Sequence, residues 1–295
     1  MRRLATLSAM ALIAVVAFGS SANATFPGTN GDIAFTRSIN DQTEIFVVDP
    51  GTDDTVRLTR TPRARETMPD WNVDGTRIVY SRCGRAEFSN CDLWVMEASG
   101  SNQTRITTTP DAQETWPSWS PDGVHIAYTS NAEDPFQDIW VIRDDGSDGT
   151  RLTTFTGFDA FPEWSPSGAK LAFTSDRADF DDIWVMDADG TDPVQLTFGP
   201  KIDERPDWSP NGARLTFSRN GNIWVVDADG TDALGLTRNR RPEFNPTLSP
   251  DGTEIAYSRI QRDDRVGIWV MRADGSGPEQ LTFGRLDFFP DWQPV

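Results

Sequence analysis

Two kinds of short hydrophobic run alternate with polar turns along almost the whole chain. Copies of the first kind are Ile33-Ala34-Phe35, Ile78-Val79-Tyr80, Ile126-Ala127-Tyr128, Leu171-Ala172-Phe173, Leu215-Thr216-Phe217 and Ile255-Ala256-Tyr257. Copies of the second kind are Ile45-Phe46-Val47, Leu93-Trp94-Val95, Ile139-Trp140-Val141, Ile183-Trp184-Val185, Ile223-Trp224-Val225 and Ile268-Trp269-Val270. Because both kinds are apolar at consecutive positions, they predict β-strands that are covered on both faces.

A proline-containing triplet precedes each run of the first kind after the first copy, and one more triplet ends the chain. The triplets are Pro69-Asp70-Trp71, Pro117-Ser118-Trp119, Pro162-Glu163-Trp164, Pro206-Asp207-Trp208, the degenerate Pro246-Thr247-Leu248, and Pro290-Asp291-Trp292. Successive triplets lie 48, 45, 44, 40 and 44 residues apart. Tight turns such as Ser120 to Gly123 follow most of them, and each unit ends in a short Leu-Thr or Ile-Thr strand.

Each unit therefore contains four short strands, here named a, b, c and d in chain order, and no segment after residue 24 has a convincing helical period. Six four-stranded units of about 45 residues are typical of a six-bladed β-propeller, an all-β fold whose blades bury both faces against their neighbours. The first unit lacks a strand a and the chain ends in one, so we expect the C-terminal strand to complete the first blade and close the ring.

The N-terminus has the pattern of a secretory signal peptide over residues 1–24. Arg2 and Arg3 precede an apolar run from Leu4 to Phe18, and small residues up to Ala24 predict cleavage before Thr25. The domain prediction is therefore a signal peptide at 1–24 and a propeller at 25–295, secreted or periplasmic and with no membrane span in the mature chain. In an exported chain, Cys83 and Cys91 predict a disulfide that closes a hairpin loop, and the alternative metal or redox pair lacks further ligands.

Charge and composition argue against several classes of function. The 45 acidic against 27 basic residues give a net charge of −18, which argues against a nucleic-acid partner. A single histidine, His125, excludes histidine-based metal clusters. Neither a Gly-x-Ser-x-Gly elbow nor a phosphate-binding Gly-x-x-x-x-Gly-Lys segment occurs, so a non-enzyme is expected.

The repeats resemble those of the TolB-type propeller family, which are similar to WD repeats. The resemblance rests on the Pro-x-Trp-Ser-Pro-Asp-Gly turn, the strand after it and the Ile-Trp-Val-Met-Asp-Ala-Asp-Gly-Thr segment, and it covers residues 31–295. It implies a periplasmic propeller that binds a protein partner in the cell envelope. Because the repeats begin soon after the leader, we expect this chain to lack the α/β domain that precedes the propeller in TolB.

One acidic residue lies three positions before the proline of each triplet. These residues are Glu66, Glu114, Asp159, Asp203, Glu243 and Asp287. One interpretation is a ring of carboxylates around one mouth of the central channel. The other is that each acid pairs within its own blade with the facing residue of strand b, which would be Arg82, Ser130, Ser175, Arg219, Arg259 and Arg37 in the same order.

Glu114 and Asp159 would face only serines, so they are the candidates for a cation site. Oxygen ligands of this kind favour Ca²⁺, which is the one cofactor that the sequence suggests. The Asp-x-Asp-Gly segments at 187–190 and 227–230 lack the glutamate that an EF-hand loop requires, and they are interpreted as turns.

Aromatic residues surround the same two acids. Trp116, Phe158 and Phe161 are expected beside the channel mouth, and the predicted loops between strands b and c carry Glu133, Phe136, Asp179 and Phe180. An acidic surface with aromatic side chains suits a cationic or aromatic peptide, while the alternative is that these rings only cover the blade ends.

The sequence thus predicts a non-enzymatic, monomeric propeller that binds a protein or peptide at the mouth of its channel. Two alternatives stay open. One is a cation-dependent carbohydrate-active hydrolase or lyase that uses the channel carboxylates, and the other is a purely structural interaction scaffold.

Overall fold

The computed structural model describes residues 29–40, 42–84, 90–133 and 135–295. The predicted signal peptide lies outside the described residues. The first twelve strands are β1 (Asn30–Ile39), β2 (Gln42–Val48), β3 (Thr55–Arg57), β4 (Arg65–Trp71), β5 (Arg77–Cys83), β6 (Cys91–Glu97), β7 (Thr104–Arg105), β8 (Glu114–Trp119), β9 (His125–Ser130), β10 (Asp138–Arg143), β11 (Thr150–Arg151) and β12 (Asp159–Trp164). The remaining strands are β13 (Lys170–Ser175), β14 (Asp182–Asp187), β15 (Val194–Gln195), β16 (Asp203–Trp208), β17 (Arg214–Arg219), β18 (Asn222–Asp227), β19 (Leu234–Gly235), β20 (Glu243–Leu248), β21 (Glu254–Ile260), β22 (Val266–Arg272), β23 (Glu279–Gln280) and β24 (Asp287–Pro294).

These strands form six antiparallel sheets of four, and the described residues contain no helix. Blade 1 has the order β24-β1-β2-β3, and blades 2 to 6 are built from β4–β7, β8–β11, β12–β15, β16–β19 and β20–β23. β24 pairs with β1, with Trp292 opposite Ile33 and Asp287 opposite Arg37. The all-β propeller and its closure by the C-terminal strand are confirmed.

Alternate residues of one strand pack against different neighbouring blades, which explains why the runs are apolar throughout. Ile33 and Phe35 of β1 pack with Ile268 and Val270 of blade 6. Ala34, between them, packs on the opposite side, in a cluster with Trp71 and other residues of blade 2. The core therefore consists of a series of layers between blades rather than one central cluster.

The Leu-Thr and Ile-Thr pairs predicted to form strand d lie directly after it instead, and their threonine ties this end of the outer strand to strand c. The hydroxyl of Thr59 accepts a hydrogen bond of 2.9 Å from the backbone N–H of Ile45, and Thr107 and Thr197 accept the same bond from Leu93 and Ile183. Strand d is only two or three residues long, so it offers few ladder bonds of its own. The side-chain bond compensates for that short pairing.

Chain direction gives the ring two distinct faces. The b–c and d–a loops lie on the face that we call the mouth face. The a–b and c–d turns lie on the other side of the ring, which we call the opposite face. The 187–190 and 227–230 segments are c–d turns, closed by a backbone hydrogen bond of 2.9 Å from Gly190 to Asp187 and one of 2.8 Å from Gly230 to Asp227. Both glycines have a positive φ, and a Cβ on Gly190 would lie 2.7 Å from the carbonyl oxygen of Leu152 in the preceding blade.

The disulfide prediction is confirmed: Cys83 and Cys91 form a disulfide. They are paired opposite each other at the ends of β5 and β6, on the mouth face of blade 2. Both cysteines are buried, so the bond closes the base of the b–c loop. Among the described residues, no helix is long and apolar enough to cross a membrane.

Candidate functional site

The six acids that begin strand a have the predicted partners on strand b. Glu66 faces Arg82, Glu114 faces Ser130, Asp159 faces Ser175, Asp203 faces Arg219, Glu243 faces Arg259 and Asp287 faces Arg37. All six acids are at most 1% exposed. The predicted ring of carboxylates lining the mouth is therefore not formed by these residues, because each lies inside its own blade, behind the channel wall.

Five of the six carboxylates are ion-paired. Arg37 lies 2.7 Å from Asp287, Arg82 lies 2.8 Å from Glu66, Arg259 lies 3.5 Å from Glu243, and Arg219 contacts Asp203. Asp159 differs from expectation, because Arg177 pairs with it at 2.6 Å from two residues beyond the facing serine. The strand register predicts only the directly opposite residue and gives no signal for an arginine that reaches the acid from the b–c loop.

Among the described residues, Glu114 has no such ion pair, and it is held by the hydroxyl groups of Thr107 and Thr109. Burial raises its pKa, and these hydrogen bonds and Arg105 only partly offset the effect. Burial likewise raises the pKa of Glu66 to about 7 in spite of Arg82. In the part of the chain that the structure describes, no three His, Cys, Asp or Glu side chains are grouped so that they could hold a metal ion.

A bulge in the innermost strand builds the channel wall. Two residues after each acid, the backbone adopts a positive φ of 54° to 60°, and the residues in this position are Met68, Trp116, Phe161, Arg205, Asn245 and Phe289. A proline follows each, so the bulge leaves no unpaired N–H at that point. The pairing register shifts there, between Thr115 and Ser118 in blade 3 for example, and the bulged side chains line the channel.

Bonds between blades hold the bulges in place. The backbone N–H of Met68, Phe161 and Arg205 each donates a hydrogen bond of 3.1 Å to a threonine on strand b of the preceding blade. Asn245 donates the same bond to Ser218. A left-handed conformation at a residue other than glycine costs free energy, and these recurrent bonds offset that cost.

The upper part of the channel is an aromatic cluster with one arginine across it. The ring of Trp116 meets those of Phe161 and Phe289 edge to face, with centroids 4.6 and 4.9 Å apart. The guanidinium carbon of Arg205 lies 4.4 Å from the Trp116 centroid, 5.0 Å from that of Phe161 and 5.4 Å from that of Phe289. Burial lowers the pKa of Arg205 to about 10. The guanidinium stays charged at neutral pH, stabilised by the faces of three rings.

The lower part of the channel is lined with carboxylates from the middle of the proline triplets, Asp70, Glu163, Asp207 and Asp291. Oδ2 of Asp291, Asp70 and Asp207 accepts a 2.7 Å hydrogen bond from the next blade, donated by the backbone N–H of Trp71, Trp119 and Leu248 respectively. Burial and mutual repulsion raise the pKa of Asp70, Glu163 and Asp207 well above normal, and burial raises that of Asp291 to about 7.

A narrow cavity of about 100 Å³ joins the two layers, with room for several waters. Beside it on the mouth face lies a wider mouth hollow of about 490 Å³, formed by blades 5, 6 and 1. Its lining includes Ile202, Phe244, Phe288 and Phe289, and it shares Arg205 with the channel. The site is thus recessed and aromatic above, and acidic below.

The predicted mouth residues are placed in two groups. Trp116 and Phe161 line the channel, and Phe158 contacts Phe161 with ring centroids 5.6 Å apart. Phe136 and Phe180 lie in b–c loops of the mouth face, 41% and 43% exposed, away from the channel lining. Sequence reasoning missed Arg205, Phe289 and the lower acids, although they occupy the same repeat positions as Trp116 and Ser118.

The fold and this axial channel define the chain as a six-bladed β-propeller built from repeats of TolB type. The model of the PD40 family, described as the TolB beta propeller domain, matches residues 117–295, so the chain belongs to that family. No curated protein matches the chain.

Solved structures share the fold. TolB from Acinetobacter baumannii is 21% identical with a TM-score of 0.78, over 90% of this chain and 67% of that one. A putative TolB from Agrobacterium tumefaciens is 22% identical with a TM-score of 0.71, over 90% and 92% of the two chains. A chain from a nidogen–laminin complex is 14% identical with a TM-score of 0.70, over 89% and 98%.

Proposed function

We propose that this protein is a non-enzymatic binding module that takes a peptide segment of a protein partner at the mouth of its channel. The observation that carries the proposal is the recessed cluster of Trp116, Phe161 and Phe289, which is open to the mouth hollow. Aromatic side chains in a concave, partly desolvated site are typical anchors of protein recognition. Membership in the TolB propeller family and the likeness to TolB structures support this class of function.

We further propose that the protein acts outside the cytoplasm, in the cell envelope or the medium. The disulfide between Cys83 and Cys91 fits an oxidising compartment, and the N-terminal sequence has the features of a cleaved leader. N-terminal sequencing of the exported protein tests this proposal. A mature chain that begins at Thr25 supports it, and an uncleaved chain retained in the cytoplasm contradicts it.

Site-specific photo-crosslinking tests the binding site. Peptides are first selected against the protein by phage display, and a photoreactive benzoylphenylalanine then replaces either Phe161 at the mouth or Leu234 on the outer strand β19. Leu234 is a suitable control because it is 56% exposed and lies far from the channel. We expect adducts from position 161 and few from position 234. The reverse pattern would place the binding site on the outer rim and refute the proposal.

A further inference from the structure

Charge is divided unequally between the two faces of the ring. The described turns of the opposite face contain fourteen acidic residues and no lysine or arginine. The acids are Asp49, Asp53, Asp54, Asp74, Asp122, Asp144, Asp145, Asp148, Asp189, Asp192, Asp229, Asp232, Asp251 and Asp274. The arginines that lie in the described loops are all on the mouth face, and their distribution on that face is also uneven.

Six exposed arginines form what we call the arginine arc. Its members are Arg60, Arg63, Arg238, Arg240, Arg262 and Arg285. They lie in the d–a loops that follow blades 1, 5 and 6 and in the b–c loop of blade 6. The arc therefore covers one continuous sector of the mouth face, at the junctions of blades 5, 6, 1 and 2.

Backbone bonds hold three of these loops together. Ile260 donates to the carbonyl of Pro242 at 3.0 Å, and Val266 donates to that of Arg285 at 3.1 Å. The guanidinium of Arg241 also reaches the carbonyl oxygen of Gln261. The loops that carry Arg238, Arg240, Arg262 and Arg285 thus form one connected surface rather than separate tips.

The arc is not used to hold the fold together. Within the described part of the chain, none of its six side chains makes an ion pair or a side-chain hydrogen bond. Elsewhere in the described chain, most arginines are paired with carboxylates, as Arg57 is with Glu44 and Arg151 with Asp138. Unpaired cations concentrated in one sector therefore mark a surface that is free to meet an anionic group.

The mouth hollow lies in the same sector. Its lining by Phe244, Phe288 and Phe289 is mainly apolar, and Ile202 at its edge is 49% exposed. Arg205 lies at its inner side, where Nη1 donates to Asn245 and the buried Nε atom has no hydrogen-bond partner among the described residues.

The b–c loop of blade 6 also carries the exposed Asp263 and Asp264, of which Asp263 pairs with Arg265, and the hollow is lined by Glu204 as well. The sector thus offers six arginines at its rim, which outnumber these acids, an apolar hollow, and one recessed donor toward the channel.

We propose that the arginine arc and the mouth hollow together bind an acidic peptide segment that carries an aromatic or large aliphatic side chain. This inference rests on the proposed function and names the chemistry of its partner. The apolar side chain enters the hollow, and Asp or Glu side chains before and after it meet the arc. The net charge of −18 does not prevent this, because charges beyond about 8 Å are largely screened at physiological salt.

A peptide fits this face better than an anionic membrane does. Blades 3 and 4, across the ring from the arc, place Glu133, Asp176, Asp179 and Asp181 in b–c loops of the same face. A flat anionic bilayer would meet these carboxylates at the same time as the arginines. A short segment can lie on the basic sector alone.

The test uses three fluorescein-labelled peptides with a central Trp-Phe pair and flanks of Asp and Glu, of Asn and Gln, or of Lys. Binding is measured by fluorescence anisotropy at low and at physiological salt. We expect the acidic peptide to bind about ten-fold more tightly than the neutral one, with an advantage that shrinks as salt rises. Equal binding of the acidic and neutral peptides would overturn the inference.

A charge-matched pair of variants tests the location. The arc variant replaces Arg238, Arg240 and Arg262 with Gln. The control variant replaces Arg143, Lys170 and Arg214 with Gln, and these three residues lie at strand ends next to the opposite face. The arc variant should lose about ten-fold in affinity for the acidic peptide and the control less than about two-fold. Equal losses in both would mean that only net charge matters, and would refute the arc.

Two further outcomes separate this inference from the proposed function. If the acidic peptide binds no more tightly than the neutral one, and Phe289→Ala weakens it while the arc variant does not, the mouth binds peptides and the arginine arc has no role. If vesicles of phosphatidylcholine and phosphatidylglycerol bind through the arc and the acidic peptide does not, the surface is a membrane site and the inference is wrong. Circular dichroism of each variant confirms that the fold is retained.

Discussion

The ion pair between Asp203 and Arg219 illustrates how the repeated acids act at the level of single residues. The carboxylate is fully buried, and the arginine is 9% exposed. Removing one partner of a buried pair leaves an uncompensated charge, which is more costly than the loss of a surface contact. The ion-paired acids of strand a therefore act within their own blades, whatever the mouth binds.

Asp203→Asn should lower the free energy of unfolding by about 3 kcal/mol, because Arg219 stays buried without its counter-ion. The matched control is Asp227→Asn, whose partner Arg214 is largely exposed at a distance of 2.9 Å. That variant should lose less than about 1 kcal/mol. Urea denaturation of both proteins measures the difference. Equal losses would contradict the structural role assigned to the buried acids.

Asp291→Asn should make the protein more stable at pH 8 and leave it nearly unchanged at pH 4. The folded-state pKa of Asp291 is raised to about 7, so ionisation opposes folding. For a raised carboxyl, stability is highest below the unfolded pKa, near 4, and falls as pH rises toward 7. The amide keeps an oxygen to accept the Trp71 N–H and removes the charge.

We expect a gain of about 1 to 2 kcal/mol at pH 8, because hydrogen bonds from Trp71, Trp292 and Thr247 to the ionised carboxylate offset part of the cost of burial. Thermal denaturation between pH 4 and pH 8 measures it. A variant that loses stability at pH 8 would contradict the raised pKa and show that the ionised carboxylate has a stabilising partner.

The six acids also show what the sequence can predict about a site and what it cannot. Antiparallel pairing fixes which residue faces which, so all six facing residues on strand b are predicted correctly from the repeat. The direction of each carboxylate relative to the channel depends on the bulge two residues later. A tryptophan or phenylalanine before proline is normally expected to be extended, so a positive φ at Trp116 or Phe161 has no sequence signal in a single copy.

At the level of elements, strand a performs two tasks. Its first residue pairs with strand b, and its bulge turns the next side chains into the channel. The carboxylates of the lower channel are also not predicted from the sequence. Asp70 and Asp207 lie in the middle of the triplet that identifies the repeat, between a proline and a core tryptophan, so they are interpreted as part of that motif. Their exposure to the channel follows only from the curvature of the whole ring.

The disulfide between Cys83 and Cys91 should stabilise the β5–β6 hairpin directly. Replacing both Cys83 and Cys91 with Ala should lower the free energy of unfolding by about 2.5 kcal/mol, the value expected for closing so short a loop. Urea denaturation of the variant and of the reduced wild-type protein measures the change. The two should lose stability by similar amounts, and an unchanged variant would show that the bond adds nothing to blade 2.

At the level of the whole molecule, ring closure depends on β24. This strand supplies the inner edge of blade 1, and the backbone N–H of Thr29 also donates to the carbonyl of Val295 at 2.9 Å. The sequence predicts this arrangement because the first unit lacks a strand a. Without β24, the long strand β1 would present an open edge that invites aggregation.

Deleting residues 287–295 should therefore abolish cooperative unfolding and produce aggregates, whereas deleting Val295 alone should leave a monomer that unfolds cooperatively. Size-exclusion chromatography and thermal denaturation distinguish the two outcomes. A long deletion that stays monomeric and cooperative would mean that blade 1 is stable with three strands, contrary to the closed-ring account.

The ring also brings together residues that are distant in the sequence. Trp116, Phe161 and Phe289 come from blades 3, 4 and 1, and no local pattern links them before the propeller is formed. We propose that this cluster is the peptide-binding site of the molecule.

Isothermal titration calorimetry with a peptide selected against the wild-type protein tests that claim most directly. Trp116→Ala and Phe289→Ala should each weaken binding about thirty-fold, as the loss of an aromatic anchor does. Leu234→Ala, on the outer strand, should change the affinity by less than about two-fold. Unchanged affinity in both mouth variants would contradict the account.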